Sequence, residues 1–164
     1  MKIIQLNPTS ENKHTIVDNE DYEYLKEHKW HLLPNGYAVR HEWNTETKKQ
    51  KMILMHRVIL NTPEDLHTDH KDGNRLNNCR SNLRVATRSQ NLANRPKSKI
   101  IKSSKFKGVR FEDRIGKKAR WRASITYNRK VMMLGSFNYE TEAAKAYDKK
   151  AKELFGEFAY LNYE

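Results

Sequence analysis

The stretch Leu66–Arg95, LHTDHKDGNRLNNCRSNLRVATRSQNLANR, decides the reading of this chain. A short extended run ends at Asp69-His70. The Asp72-Gly73-Asn74 cluster that follows is turn chemistry, because Asp and Asn side chains bond the nearby backbone and Gly accepts a positive φ. A polar loop with Asn77 and Asn78 leads to a second short apolar run around Leu83 and Val85. Thr87 with Gln90 three residues on has the form of a capping box, which predicts a helix running through Asn91 to about Asn94. The predicted order is strand, loop, strand, helix.

These residue types suit one kind of chemistry. Cleaving a phosphodiester requires a base to deprotonate water and a cation to neutralise charge on the non-bridging and leaving oxygens. Histidine titrates in the right range for the first task. A hard divalent cation, Mg²⁺ or Mn²⁺, suits the second, and takes oxygen ligands such as the Asp69 carboxylate and the Asn91 side-chain carbonyl if the helix packs across the hairpin. Neighbouring side chains on a strand point to opposite sides, so a site using both Asp69 and His70 needs a distorted strand end.

The stretch resembles the HNH endonucleases, in the branch that opens on Asp-His and carries Asn in place of the last histidine, as in phage and intron homing enzymes. The resemblance rests on Asp69-His70, the Asn pair at 77 and 78, Ser81-Asn82-Leu83, the His70-to-Asn82 and Asn82-to-Asn91 spacings, and Met55-His56-Arg57 upstream. It implies that His70 is the general base, that Asp69 and Asn91 hold the metal, and that Asn82 braces the histidine and its loop. Other branches brace this motif with zinc on paired cysteines. Here Cys79 is the single cysteine, so no structural zinc is expected and the brace must come from the N-terminal segment. His67 with Cys79 makes a poor zinc set, and Cys79 reads as a small packing residue. Arg75, Arg80, Arg84 and Arg88 read as phosphate contacts or solvated charge.

Upstream, Asp18 is a plausible N-cap for a short helix to about His28. Pro34-Asn35-Gly36 marks a turn, Tyr37 to Trp43 alternates as a strand, and Lys51 to Met55 offers another. A small meander with Trp30, Tyr37 and Trp43 on its core face follows. His56, flanked by apolar residues, reads as a partly buried, hydrogen-bonded structural histidine.

Charge separates the two ends. The chain has 164 residues and a formal charge of +12, yet residues 1 to 68 hold 9 Lys/Arg against 10 Asp/Glu while residues 69 to 164 hold 23 against 10. A basic surface of that kind fits double-stranded DNA, whose phosphates are neutralised by Lys and Arg with release of counterions. No apolar run approaches the roughly 18 residues of a membrane span, and no charged-then-apolar leader opens the chain. The expectation is a cytoplasmic, monomeric protein with no membrane partner.

After a basic linker at 96–105, the last segment changes pattern. Val109 and Phe111, then Trp121, Ala123 and Ile125, then Met132 and Leu134 mark the inward sides of three strands, and a helix is predicted from Glu140 to Phe155 with Asn138 as its cap. Residues 106–164 resemble the Apetala-type, or ethylene-response-factor, DNA-binding domain through FKGVR at 106–110, WRASI at 121–125, LGSF at 134–137, EAAKAYDKKA at 142–151 and FGEFAYLNY at 155–163. The resemblance implies a three-stranded sheet entering the major groove, with Arg110, Glu112, Arg120, Arg122, Ser124, Thr126 and Met133 facing DNA. Several of these differ from the plant pattern, so the plant target does not carry over.

The expectation is therefore an α+β protein with a meander and nuclease motif over 1–95, the motif's core at 55–95, and a DNA-binding domain over 106–164. It would be a site-specific DNA endonuclease of homing type. The rivals are a non-catalytic DNA-binding regulator that keeps the motif as a remnant, and an RNA-directed protein.

Overall fold

A computed structural model describes residues 1–7, 13–97, 103–113 and 120–163. Ser98 to Lys102, the middle of the expected linker, lie outside the described residues. The chain divides into two compact units, Met1–Thr87 and Arg88–Glu164. Both are α+β, as expected.

In the first unit, β1 (Lys2–Gln5) pairs antiparallel with β2 (His14–Val17). Helix α1 (Asn19–Lys26) follows, with Glu20 and Asp21 in its first turn and Lys26 in its last, the arrangement the helix dipole favours. Asp18 occupies the N-cap position but makes no side-chain cap bond. Its carboxylate instead accepts the Arg80 backbone N–H at 2.7 Å, tying the start of the helix to the central loop. Strands β3 (His31–Leu32), β4 (Ala38–Asn44) and β5 (Lys49–Leu54) form the expected meander.

One expectation about the meander fails. Trp30 is buried and its indole N–H donates to the Leu25 carbonyl at 2.7 Å, but Trp43 is 64% exposed. The core, built from Ile4, Val17, Leu25, Trp30, Ala38, Met55 and Leu83, lies under the base of the hairpin. Trp43 pairs with Gln50 near the hairpin's far end, so strand alternation puts it on the same side as Val39 without giving it anything to pack against.

Helix α2 (Met55–Leu60) ends at Asn61, in the left-handed conformation with φ 45°. Arg57 then holds the following turn: its guanidinium donates to the carbonyls of Leu66, Thr62 and Pro63 at 2.8, 3.0 and 2.7 Å. The chain enters β6 (His67–His70), which pairs antiparallel with β7 (Leu83–Ala86), Asp69 opposite Arg84 and His70 opposite Leu83.

The second unit opens with α3 (Arg88–Ala93). This helix joins the downstream residues because Tyr160 N–H donates to the Ala93 carbonyl at 3.2 Å and the Lys107 ammonium donates to the Ala93 and Arg95 carbonyls. Strands β8 (Val109–Glu112), β9 (Arg120–Tyr127) and β10 (Lys130–Phe137) form an antiparallel sheet in the order β10-β9-β8. Asn128 and Arg129 both have positive φ, which makes the two-residue turn whose twist suits a tight hairpin.

Helix α4 (Glu140–Phe155) has the expected bounds and covers one sheet face. Its Ala143, Ala144 and Tyr147 pack on Phe106, Val109, Ala123 and Ile125. Its N-cap is Tyr139 rather than Asn138, whose side-chain oxygen accepts from Arg120 at 2.6 Å. Phe111, expected inside, is 42% exposed and lies against Trp121 at the sheet's edge strand.

Candidate active site

The β6–β7 loop is held by its own polar side chains. The Asn82 amide accepts the Asp72 N–H at 3.1 Å and donates to the Asp72 carboxylate at 2.9 Å and to the Asn77 carbonyl at 2.8 Å. The same carboxylate accepts the Asn74 N–H at 2.7 Å and the Asn77 amide at 2.8 Å. Burial pushes the Asp72 pKa up, but the Asn77, Asn74 and Asn82 donors outweigh it and hold the carboxyl below its ordinary value. Gly73, with φ 72°, closes the turn with its N–H on the His70 carbonyl at 3.0 Å.

The loop is also tied to the N-terminal segment. Ile16 N–H donates to the Leu76 carbonyl at 2.9 Å, and Asn78 N–H donates to the Ile16 carbonyl at 2.8 Å. Arg80 forms ion pairs with Asp21 and Glu20 on α1 at 2.7 Å each. The N-terminal segment thus braces the loop through backbone bonds and ion pairs. Cys79 is buried, and burial together with Asp18 raises its thiol pKa, as suits a packing residue.

Asp69 and His70 are both buried, each 4% exposed. Arg84 reaches the same Asp69 carboxylate oxygen through Nε and Nη2, at 2.8 Å each. His70 Nε2 is 3.1 Å from the Asn78 side-chain oxygen. Burial drives the His70 pKa down; Asn78, Asp72 and Asp69 raise it in part, and Arg75 lowers it again. The imidazole is consequently neutral at neutral pH, the state a base needs.

Around His70 stand the rings of His56 at 5.2 Å and Tyr37 at 6.0 Å, and Arg75 stacks over Tyr37 at 4.8 Å. His56, expected to be partly buried and hydrogen-bonded, is instead almost fully buried, with a pKa pushed down to about 3 by burial, His70 and Arg57. Its Nδ1 has no hydrogen-bond partner among the described residues.

Sequence reasoning does not assign four of these roles: it does not name Thr15, it names Asn78 and Arg57 only as part of the motif, and it reads Arg84 as a phosphate contact or solvated charge, whereas Arg84 is ion-paired with the buried Asp69. Asn78, rather than Asn82, is the side chain bonded to His70; Thr15 stands behind it; Arg84 pairs with Asp69; Arg57 fixes the entry to β6. The Asn77-Asn78 doublet was visible, but nothing local distinguishes which Asn turns inward. Asn91 is half-buried on α3, in the second unit.

A family model described as HNH endonuclease matches residues 61–93, from the end of α2 through β6, the loop, β7 and α3. A protein of Acanthamoeba polyphaga mimivirus, described as an uncharacterized HNH endonuclease, is 34% identical over 149 residues, 90% of this chain and 73% of the relative. The chain belongs to the HNH endonuclease family. In this HNH protein the matched span holds Asp69, His70, Asn82 and Asn91 together with Asn78 and Arg84.

Among the described residues no group of three or more His, Cys, Asp and Glu side chains could hold a metal ion. The donor chemistry, a carboxylate and an amide carbonyl, fits a hard divalent cation. No described helix is long and apolar enough to cross a membrane.

In the second unit Arg110 pairs in register with Arg122, and Ser124 with Met133. Glu112 lies between the two arginines, ion-paired with Arg122 and 4.0 Å from Arg110. Arg110, Thr126, Val131 and Met133 are exposed, while Glu112, Arg120, Arg122 and Ser124 are half-buried.

Proposed function

We propose that the protein is a site-specific, homing-type DNA endonuclease that hydrolyses phosphodiester bonds in duplex DNA. The observation that carries this reading is the buried His70 beside Asp69 at the mouth of a loop closed by Asn82, within the span that matches the HNH family. His70 accepts the proton of the attacking water. Asp69 and Asn91 would hold a divalent cation, Mg²⁺ or Mn²⁺, which when bound neutralises charge at the leaving oxygen. Asn82 keeps the loop in shape through Asp72 and Asn77.

Residues 106–164 act as the DNA-binding part, of Apetala type. Support comes from the three-stranded sheet with a helix on one face only, and from Arg110, Arg122, Thr126 and Met133 on the strands. A sheet of this form can enter the major groove and read base edges while Arg and Lys hold phosphates. Glu112, Arg120 and Ser124 complete the proposed contact set. The protein acts as a monomer in the cytoplasm of the cell where it is made.

A plasmid nicking assay tests the reading. His70→Ala is expected to abolish cutting in Mg²⁺ while DNA binding is retained, and EDTA is expected to silence the wild type. Undiminished cutting by the variant would sink the assignment. One observation favours a second reading, a DNA-binding regulator with a retired site: Arg84 already neutralises the Asp69 carboxylate that the metal would use. A wild type that binds DNA tightly and never nicks it in Mg²⁺ or Mn²⁺ would establish that reading.

A further inference from the structure

A chain of three hydrogen bonds, the two nearest the histidine buried, runs from a backbone carbonyl to His70. The Thr15 hydroxyl lies 2.8 Å from the Leu76 carbonyl oxygen. The Asn78 amide nitrogen lies 2.7 Å from the Thr15 hydroxyl oxygen, and the Asn78 amide oxygen lies 3.1 Å from His70 Nε2. Thr15 and Asn78 are both 0% exposed, so water does not compete for the Thr15–Asn78 and Asn78–His70 bonds.

The directions of all three bonds follow from chemistry alone. A carbonyl oxygen only accepts, so the single Thr15 hydroxyl proton goes to Leu76. The Thr15 oxygen must then accept, which turns the amino end of the Asn78 amide towards it. The carbonyl end is left facing His70. An amide oxygen cannot donate, so Nε2 must carry the imidazole proton, and the lone pair of the neutral ring is at Nδ1.

We propose that Thr15 and Asn78 are positioning residues that fix His70 in the Nε2–H tautomer, so that Nδ1 is the nitrogen that takes the proton from water. This rests on the reading of His70 as general base. In the step, one O–H bond of water breaks, its proton forms a bond to Nδ1, and the hydroxide oxygen bonds to phosphorus as the leaving oxygen departs with the electron pair of its broken bond and takes a proton from solvent. The resulting imidazolium keeps its Nε2–H on the Asn78 oxygen, where the bond becomes charge-assisted and stronger. The imidazolium then releases the Nδ1 proton to solvent. Thr15 belongs to β2, so the N-terminal segment sets the state of the base as well as bracing the loop.

The test is the tautomer itself, read by long-range ¹⁵N–¹H correlation on full-length protein labelled at its seven histidines, with His70 assigned by the signals lost in His70→Ala. The expected pattern is a protonated Nε2 coupled to both ring C–H protons and an unprotonated Nδ1 coupled to one. A wild-type ring protonated at Nδ1 overturns the proposal, and that measurement needs no variant to fold and no cleavage to occur. Thr15→Val removes the anchor but not the volume. It is expected to give mixed tautomers and to slow single-turnover cutting roughly 10–100-fold at unchanged DNA affinity, and Thr15→Ser is expected to restore both. A Thr15→Val protein with the wild-type tautomer and rate would also overturn the proposal. Undiminished cutting by His70→Ala, with the Nε2–H tautomer observed, would instead overturn the general-base reading.

Discussion

Replacing Asn82 with Ala probes the loop that carries the candidate base. The residue is 9% exposed and its side chain makes three hydrogen bonds, two with Asp72 and one with Asn77. A net hydrogen bond contributes about 1 kcal/mol, and a donor or acceptor left unsatisfied costs about 1–3 kcal/mol. Asp72 keeps Asn74 and Asn77 as donors to its carboxylate, and its own N–H and the Asn77 carbonyl lie close enough to the surface for water to replace part of the loss. The low end of the range therefore applies, and Asn82→Ala is expected to destabilise the first unit by about 2–4 kcal/mol. Removing one donor also moves the Asp72 pKa back up towards its ordinary value. A carboxyl with a depressed folded pKa contributes stability above the unfolded pKa and loses it as pH falls through the folded pKa, so the acid limb of the wild-type stability curve should be shallower in the variant. Urea unfolding followed through the buried Trp30 measures the first effect. A double-mutant cycle with Asp72→Ala isolates the pair, and close partners of this kind couple by about 0.5–3 kcal/mol. A destabilisation under about 0.5 kcal/mol, or a coupling indistinguishable from zero, would refute the reasoning.

Other outcomes follow from single residues. The His56 pKa, about 3 when folded against about 6.5 unfolded, means that the unfolded chain binds more protons between those values; the first unit should lose on the order of 3–5 kcal/mol as pH falls from 6.5 to 3, and His56→Gln should flatten that slope in acid titration of the urea midpoint. Gly108 has φ 74°, and a Cβ there would sit 1.9 Å from a Tyr147 ring carbon and 2.7 Å from the Ser124 carbonyl oxygen. Gly108→Ala should cost the second unit about 3 kcal/mol through strain and overpacking, with the Trp30 transition unmoved. Each phosphate contact contributes about 0.9 to the slope of log K against log salt, so losing Arg110 and Arg122 together should flatten that slope by about 1–2 in fluorescence-anisotropy titrations. An unchanged slope would remove both residues from the DNA contact set.

Much of the fold is written in local pattern. The α4 bounds, the three strands before it and the strand–loop–strand–helix order around Asp69-His70 follow from apolar spacing and turn residues, which act over a few positions along the chain. Trp43 shows where that reasoning stops. Alternation says which side of β4 a residue lies on but not how far the core extends beneath it, and the core ends before the hairpin tip. Asn138 fails as a cap for a similar reason, because Arg120 on a distant strand engages its side chain.

The sequence by itself determined the chemistry available: one Asp-His pair, no cysteine pair for zinc, a closing Asn, and a basic C-terminal half, all properties of residue type and short spacing. Tertiary structure decided how that chemistry is held. It placed Asn78 on His70 and Thr15 on Asn78, set Arg84 against Asp69, and buried His70 to 4% exposure. A hydrogen bond between side chains 63 positions apart leaves no periodic mark on the chain. It forms because β2 and the loop exchange backbone bonds at Ile16, Leu76 and Asn78, and only that pairing decides which of several asparagines meets the histidine.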